Sequence, residues 1–202
     1  MNRPTVVMGF VFALAAGGAG AEPIQWTDGP GANGHYYEYF STPKLSWRLA
    51  KDYAETLSHN GWPGHLVTIT SIHEQVFVEQ QIATQGFAPA SIGLTDNEDY
   101  GGYESEHQPN PRVDGWVWVT GEPVVFTAWQ EGEPSNTLNE DYVRMATHGG
   151  EWNDNSNWDT DFIVEYELVP EPSAFGLLAA TTAGSLLCGM RRRKRAAPGN
   201  RA

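Results

Sequence analysis

Three short groups of oxygen-bearing side chains lie within 22 residues in the second half of this 202-residue chain. They are Glu133, Ser135, Asn136, Glu140, Asp141, Asn153 and Asp154. Carboxylate and amide oxygens are hard ligands, and Ca²⁺ takes about six to eight of them. Acids that converge without a cation repel one another. The composition of these groups therefore predicts a calcium site, provided that the intervening chain brings them together.

The elements between the three groups suit such a convergence. Residues 142–145 are predicted to form a short strand, and Gly149 and Gly150 supply a turn that brings the chain back. All three groups are then expected at one end of a sheet. Tryptophans at both ends of the stretch WNDNSNW, residues 152–158, would anchor it to the core. We expect five tryptophans to be buried: Trp116, Trp118, Trp129, Trp152 and Trp158.

Further strands are predicted over residues 35–40, 65–69, 91–94, 116–119 and 162–167. Two helices are also predicted. Ser46 can cap the first, which runs to about residue 58, and Ser71 with Glu74 forms a capping box for the second, which runs to about residue 85. Strand, helix, helix and then several strands indicate an α+β fold, with helices on an antiparallel sheet.

Charge is distributed unevenly along the chain. Residues 22–170 contain 24 Asp and Glu against five Lys and Arg, a formal charge of −19. This balance argues against nucleic acid and anionic membrane surfaces as partners, and it suits divalent cations. The alternative interpretation of this negative charge is that it only keeps the protein soluble.

The cysteine and histidine content narrows the possible metal sites. The only cysteine, Cys188, lies outside the acidic region, so no disulfide holds the domain and a Cys/His zinc site is excluded. The histidines show no metal-binding spacing, and we expect each of them at the surface or in a turn. They are His35, His59, His65, His73, His107 and His148.

The two ends of the chain predict export. Residues 1–21 have the pattern of a secretory signal peptide, and residues 22–34 are a linker. Residues 173–190 are apolar and, at about 27 Å as a helix, just long enough to cross a bilayer. The basic cluster at residues 191–195 would stay in the cytoplasm, so the domain before the span lies outside it.

Residues 169–195 resemble the PEP-CTERM sorting signal of bacterial exported proteins, which has a Pro-Glu-Pro motif, a span and a basic cluster in this order. The resemblance implies transient membrane anchoring, cleavage by an exosortase-type enzyme, and a basic cytoplasmic tail at residues 196–202. It also implies a final location at the cell surface or outside the cell, in exopolysaccharide-producing, biofilm-forming bacteria.

Residues 35–168 resemble the C-type lectin-like domain. Four motifs carry the resemblance, in the family's order and spacing: Ser91-Ile92-Gly93-Leu94, Glu133-Pro134-Ser135, Glu140-Asp141 and Trp152-Asn153-Asp154. The resemblance implies two helices packed on small antiparallel β-sheets, with a long Ca²⁺-binding loop region.

The resemblance also implies the composition of the site. The principal Ca²⁺ would be held by Glu133, Ser135, Glu140, Asn153 and Asp154. Two vicinal sugar hydroxyls would complete its coordination shell. The sugar-contacting residues would be Glu133, Ser135, Asn136, Glu140 and Asn153, and the peptide bond before Pro134 would be cis.

Besides Ser91, which stands where the family's W-I-G-L element has tryptophan, the chain departs from the family in three ways. Ser135 stands where mannose-type lectins have asparagine, so a hydroxyl replaces an amide. The family's disulfide cysteines are absent, with Tyr142 at one of their positions. A second Ca²⁺ site would use Asp96, Asn136, Glu140 and Asp141, but Tyr100 stands where a further acid is expected.

The expected function is calcium-dependent binding of carbohydrate, either an exopolysaccharide or another glycan. The alternative is an adhesion protein of the extracellular matrix or biofilm that binds protein, without sugar, through the same fold. Catalysis is not expected. Glu133 and Glu140 could pair as in a glycosidase, but a polar exposed loop does not raise the pKa of an acid.

Overall fold

The computed structural model describes residues 22–86, 88–104, 110–146 and 149–167. The predicted signal peptide and sorting tail, including the span at residues 173–190, lie outside these ranges. Within them, no helix is both long enough and apolar enough to cross a bilayer.

The described residues form nine strands and two α-helices. The strands are β1 Ile24–Gln25, β2 Tyr36–Leu45, β3 Ser58–His59, β4 Trp62–Leu66, β5 Ala90–Thr95, β6 Val117–Trp118, β7 Tyr142–Met145, β8 Trp152–Asn155 and β9 Thr160–Tyr166. The helices are α1 Trp47–Ala54 and α2 Ile72–Phe77. A π turn at Val78–Ile82 and a 3₁₀ turn at Ala83–Gln85 continue α2, and a second 3₁₀ turn spans Glu98–Tyr100.

Strand β9 is the centre of the sheet. It pairs antiparallel with β2 and with β4, and parallel with β5. From β5 the sheet continues to β7 and then to β8. The predicted all-antiparallel arrangement is therefore interrupted by one parallel pair, in which Ala90 lies opposite Asp161 and Ser91 opposite Phe162. This pairing brings the C-terminal half of the domain alongside β2 and β4.

Local chemistry sets the two helices. Trp47, Ala50 and Ala54 form the buried face of α1, at the predicted helical spacing, but α1 ends four residues before the predicted boundary because the chain turns into β3. The Ser71 hydroxyl accepts a hydrogen bond from Glu74 N at 3.2 Å, the first half of the predicted capping box. The helical path then runs to Gln85, as predicted.

Four of the five tryptophans that were expected in the core are buried, namely Trp116, Trp118, Trp129 and Trp152. The prediction for Trp158 was wrong, since 54% of this residue is exposed. Strand β8 ends at Asn155, and the next four residues form a bend before β9, so Trp158 lies outside the strands and beyond the core.

The surface position expected for His65 was also wrong. This residue lies on β4 opposite Glu165 of the central strand, and only 9% of it is exposed.

Candidate functional site

The hairpin of β7 and β8 provides the floor of the candidate calcium site. Its register places Val143 opposite Asp154 and Arg144 opposite Asn153. The Asp154 carboxylate is fully buried and accepts two backbone hydrogen bonds, from Ser135 N at 3.1 Å and Asn136 N at 2.7 Å. These bonds hold the segment of Ser135 and Asn136 against Asp154 on β8.

The loop from Glu133 to Glu140 folds around its own polar side chains. Glu140 Oε2 accepts from the Ser135 hydroxyl at 3.1 Å and from Thr137 N at 3.0 Å. Glu140 N donates to Asn136 Oδ1 at 2.9 Å. The peptide bond between Glu133 and Pro134 is cis, as the resemblance implied. Glu140 is thus held by its own loop, and among the described residues the carboxylates of Glu133, Glu140 and Asp154 do not form a group within 4.8 Å of one another.

Two of the acids share one buried environment. Burial and the neighbouring Glu133 carboxyl together raise the pKa of Asp154 to about 6. Two carboxyl groups hydrogen-bond to each other only while one of them holds a proton. Within the described part of the chain, Glu133 Oε2 is buried and accepts no hydrogen bond. This oxygen has lost its water without gaining a donor, an arrangement that a bound cation would satisfy.

Asn153 has a partner that the sequence did not predict. Its amide oxygen accepts two hydrogen bonds from the Arg144 guanidinium, from Nε at 3.1 Å and from Nη2 at 2.9 Å. The guanidinium carbon also lies 5.2 Å from the centre of the exposed Trp158 ring. The Arg144 guanidinium therefore already binds the amide oxygen that the resemblance assigned to Ca²⁺ as a ligand. The hairpin register would have indicated this pair, but a single sequence does not reveal register.

A second acidic group combines two residues of the loop after β5 with the residue that precedes β7. Carboxylate oxygens of Asp96, Glu104 and Asp141 all lie within 4.8 Å of one another. Burial, and then the charges of Glu104 and Asp141, raise the pKa of Asp96 to about 8. Asp96 Oδ1 is buried and has no partner among the residues that the structure describes. Asp141 accepts from Asn97 Nδ2 at 2.6 Å and from Asn139 Nδ2 at 2.7 Å.

This second group differs from the predicted set. It contains Asp96 and Asp141, whereas Asn136 and Glu140 bond to each other in the first loop. Glu104 supplies the acid that was expected at Tyr100, whose ring instead packs at 5.2 Å from Trp47. Sequence reasoning missed Glu104 because it is one of several acids in a long loop, and no local pattern singles it out.

No model of a known protein family matches the chain. The chain is similar to hepatic lectin of Gallus gallus, with 34% identity over 142 residues, which are 67% of this chain and 54% of that protein. It is 29% identical to C-type lectin domain family 4 member G of Homo sapiens over 116 residues, 57% of this chain and 33% of that protein. The chain thus spans between a third and about half of these relatives.

Among solved structures, the C-type lectin CEL-I from Cucumaria echinata superposes with a TM-score of 0.55 at 24% identity, covering 72% of this chain and 96% of the other. The similarity in structure and the names of the relatives agree with each other. The described residues therefore have a C-type lectin-like fold, and the predicted α+β fold class is confirmed.

Proposed function

We propose that this protein binds carbohydrate through a calcium ion held by Glu133, Ser135, Glu140, Asn153 and Asp154. The observation that carries the proposal is the buried, unpartnered Glu133 Oε2 beside Asp154, in a group whose donors are all oxygens. Hard oxygen donors, two of them carboxylates within hydrogen-bonding reach, match the preference of Ca²⁺.

The bound ion would supply two coordination positions for vicinal hydroxyls of a sugar. This chain's own residues would orient those hydroxyls. The carboxylates of Glu133 and Glu140 accept hydrogen bonds, the amides of Asn136 and Asn153 donate them, and the Ser135 hydroxyl does either. A hydroxyl that both binds the metal and hydrogen-bonds to a ligand side chain has its donor and acceptor capacity satisfied.

We further propose a second Ca²⁺ at Asp96, Glu104 and Asp141. Three carboxylates within 4.8 Å, one of them with a buried unpartnered oxygen, support this site. The charge of Asp154 also contributes to the raised pKa of Asp96, so the two sites interact electrostatically. A cation at either site would ease ionisation at the other.

A protein-binding adhesion function without sugar is the second candidate. It is favoured by one observation, the two hydrogen bonds from Arg144 that engage Asn153 Oδ1. A simple sugar that competes with the bound partner would argue against this candidate.

Export, transient anchoring and exosortase-type processing remain proposals that rest on the sequence of residues 1–21 and 169–195. The proposed ligand is then a glycan met outside the cytoplasm, such as the cell's own exopolysaccharide. No catalytic activity is proposed, and the relatives described above are named as lectins.

Calorimetric titration of Ca²⁺ into the chelator-treated full chain tests the principal site. Glu133→Gln and Asp154→Asn are each expected to lose one bound ion, while Glu131→Gln, an exposed acid two residues from Glu133, keeps the native stoichiometry. A glycan array with and without chelator then tests sugar binding. A folded native chain that binds no Ca²⁺ would overturn the proposal. Calcium binding without any glycan signal would favour the adhesion function.

A further inference from the structure

Four titratable side chains in or directly beside three strands lie on one face of the sheet, and none of them belongs to the sites above. Glu165 lies in β9 and Glu167 follows its last residue, and the spacing of two residues puts both on the same face. His65 on β4 lies directly opposite Glu165. On the other side of β9, Tyr37 of β2 also lies opposite Glu165, which brings His35, two residues earlier, level with Glu167.

Ligand atoms of three members of this group are close enough to share one ion. Ligand atoms of His35, Glu165 and Glu167 all lie within 4.8 Å of one another. His35 Nδ1 is 2.6 Å from Glu165 Oε1, and His35 Nε2 is 3.5 Å from Glu167 Oε2. His65 Nε2 lies 3.3 Å from the other oxygen of Glu167. Ligands of a tetrahedral zinc ion, each about 2.0–2.1 Å from the metal, are themselves about 3.3 Å apart.

His65 orients one of the proposed ligands. About nine-tenths of this residue is buried, and its Nδ1 lies 2.9 Å from the Leu66 carbonyl oxygen. That contact turns Nε2 toward the Glu167 carboxylate, with which it pairs at 3.3 Å. The pair holds one oxygen of Glu167 and leaves the other facing His35. Ligating carboxylates are held in this way by outer-shell contacts.

Glu165 is positioned in the same manner. Its Oε2 accepts a hydrogen bond from Thr68 N at 3.0 Å, which leaves Oε1 for the shared centre. Only 3% of this side chain is exposed, against 24% for His35 and 17% for Glu167. The group is thus closed on the protein side and open toward solvent, so an ion has a route of entry.

We propose that His35, Glu165 and Glu167 bind one divalent transition-metal ion of the zinc type. One imidazole and two carboxylates, with water in the fourth position, make a donor set that suits Zn²⁺, whereas Ca²⁺ prefers oxygen donors throughout. The ion replaces the proton that joins His35 to Glu165, and it balances the charge of the two carboxylates. It links the start of β2 to the end of β9 in a domain whose described residues contain no cysteine.

The test is a calorimetric titration of Zn²⁺ into the full chain with Ca²⁺ already at saturation, so that the all-oxygen sites are occupied. One zinc ion per chain is expected. His35→Asn and Glu167→Gln are each expected to weaken binding by more than about 100-fold, beyond the usual loss of an outer-shell partner. His73→Asn, which removes an exposed histidine on α2, is the matched control and keeps native zinc affinity.

A folded native chain that binds no zinc would overturn the proposal, and so would undiminished binding in His35→Asn and Glu167→Gln. Circular dichroism checks that each variant is folded. If one is not, the native chain loaded with Co²⁺ gives a second readout. Paramagnetically shifted proton signals from one imidazole support the site, and their absence overturns it. Calcium-dependent glycan binding, measured on the same variants, should stay native, which separates this outcome from the proposed lectin function.

Discussion

Arg144 and Asn153 face each other across the β7–β8 hairpin, and the guanidinium donates two hydrogen bonds to the same amide oxygen. Asn153 directly precedes Asp154 in the chain, and Asp154 is the most buried acid of the candidate calcium site. A calcium ion that uses Asn153 as a ligand must therefore compete with a fixed positive charge. The pair makes calcium affinity dependent on a residue that is not itself a ligand.

Arg144→Met is expected to raise calcium affinity at the principal site about tenfold. In the native chain a calcium ion must overcome part of the charge-assisted contact to Asn153 Oδ1, which is worth about 1.5–3 kcal/mol. The substitution removes that contact. Calcium titration by calorimetry measures the change. Arg112→Met removes an exposed arginine elsewhere and should leave the affinity unchanged. A fall in affinity in Arg144→Met would mean that the guanidinium orients Asn153 for the metal.

Glu104→Gln is expected to reduce the number of bound calcium ions from two to one. The substitution removes one of the three carboxylates that converge on the second group. Glu98→Gln alters an exposed acid of the same loop and serves as the control. Two ions bound to Glu104→Gln with native affinity would place the second ion elsewhere.

The stability of the chelator-treated protein should depend on pH through Asp154. Its pKa rises from a usual value of 3.8 to about 6 on folding, because the carboxyl is buried and lies beside Glu133. The folded chain therefore holds a proton that the unfolded chain releases between these two values. The resulting stabilisation is complete below about pH 4 and is lost as the pH rises through about 6.

Calcium requires the ionised form of Asp154, so calcium affinity should fall as the pH drops below about 6. Asp154→Asn cannot ionise and should flatten the stability profile between pH 4 and 6. Denaturant unfolding in chelator at several pH values measures the first effect, and calorimetry the second. An Asp154→Asn profile as steep as the native one would assign the pH dependence to other groups.

Two tryptophans of the WNDNSNW stretch should differ sharply in their contribution to stability. Trp152 is fully buried and its Nε1 donates to Gln75 Oε1 at 3.0 Å, so Trp152→Ala is expected to cost about 3–5 kcal/mol. Trp158 is 54% exposed and contacts Arg144, so Trp158→Ala should cost about 1 kcal/mol or less. Denaturant unfolding measures both values. Equal costs would contradict the exposed position of Trp158.

Sequence reasoning succeeded where a few adjacent residues decide the outcome. The Ser71 cap of α2 and the strand at Tyr142–Met145 depend on local patterns and were correctly predicted, although the Glu74 carboxylate accepts from Thr70 N and not from Ser71 N. It failed where strand register or the path of a loop determines which residues come into contact. The partnership of Arg144 with Asn153 and the approach of His35 to Glu165 both depend on pairing between distant segments. Glu104 reaches Asp96 through an irregular loop that no periodicity describes.

The position of β9 at the centre of the sheet has a consequence for the order of folding. It pairs with β2, β4 and β5, yet it follows all three in the chain. Contacts between residues more than a hundred positions apart close slowly, because a long loop must be ordered before they form. Until residues 160–166 join the others, β2 and β5 have no central partner and expose edges that other chains can pair with. Assembly of this domain must therefore wait for its last described strand, and a chain that is interrupted before that strand is more prone to aggregation than to partial folding.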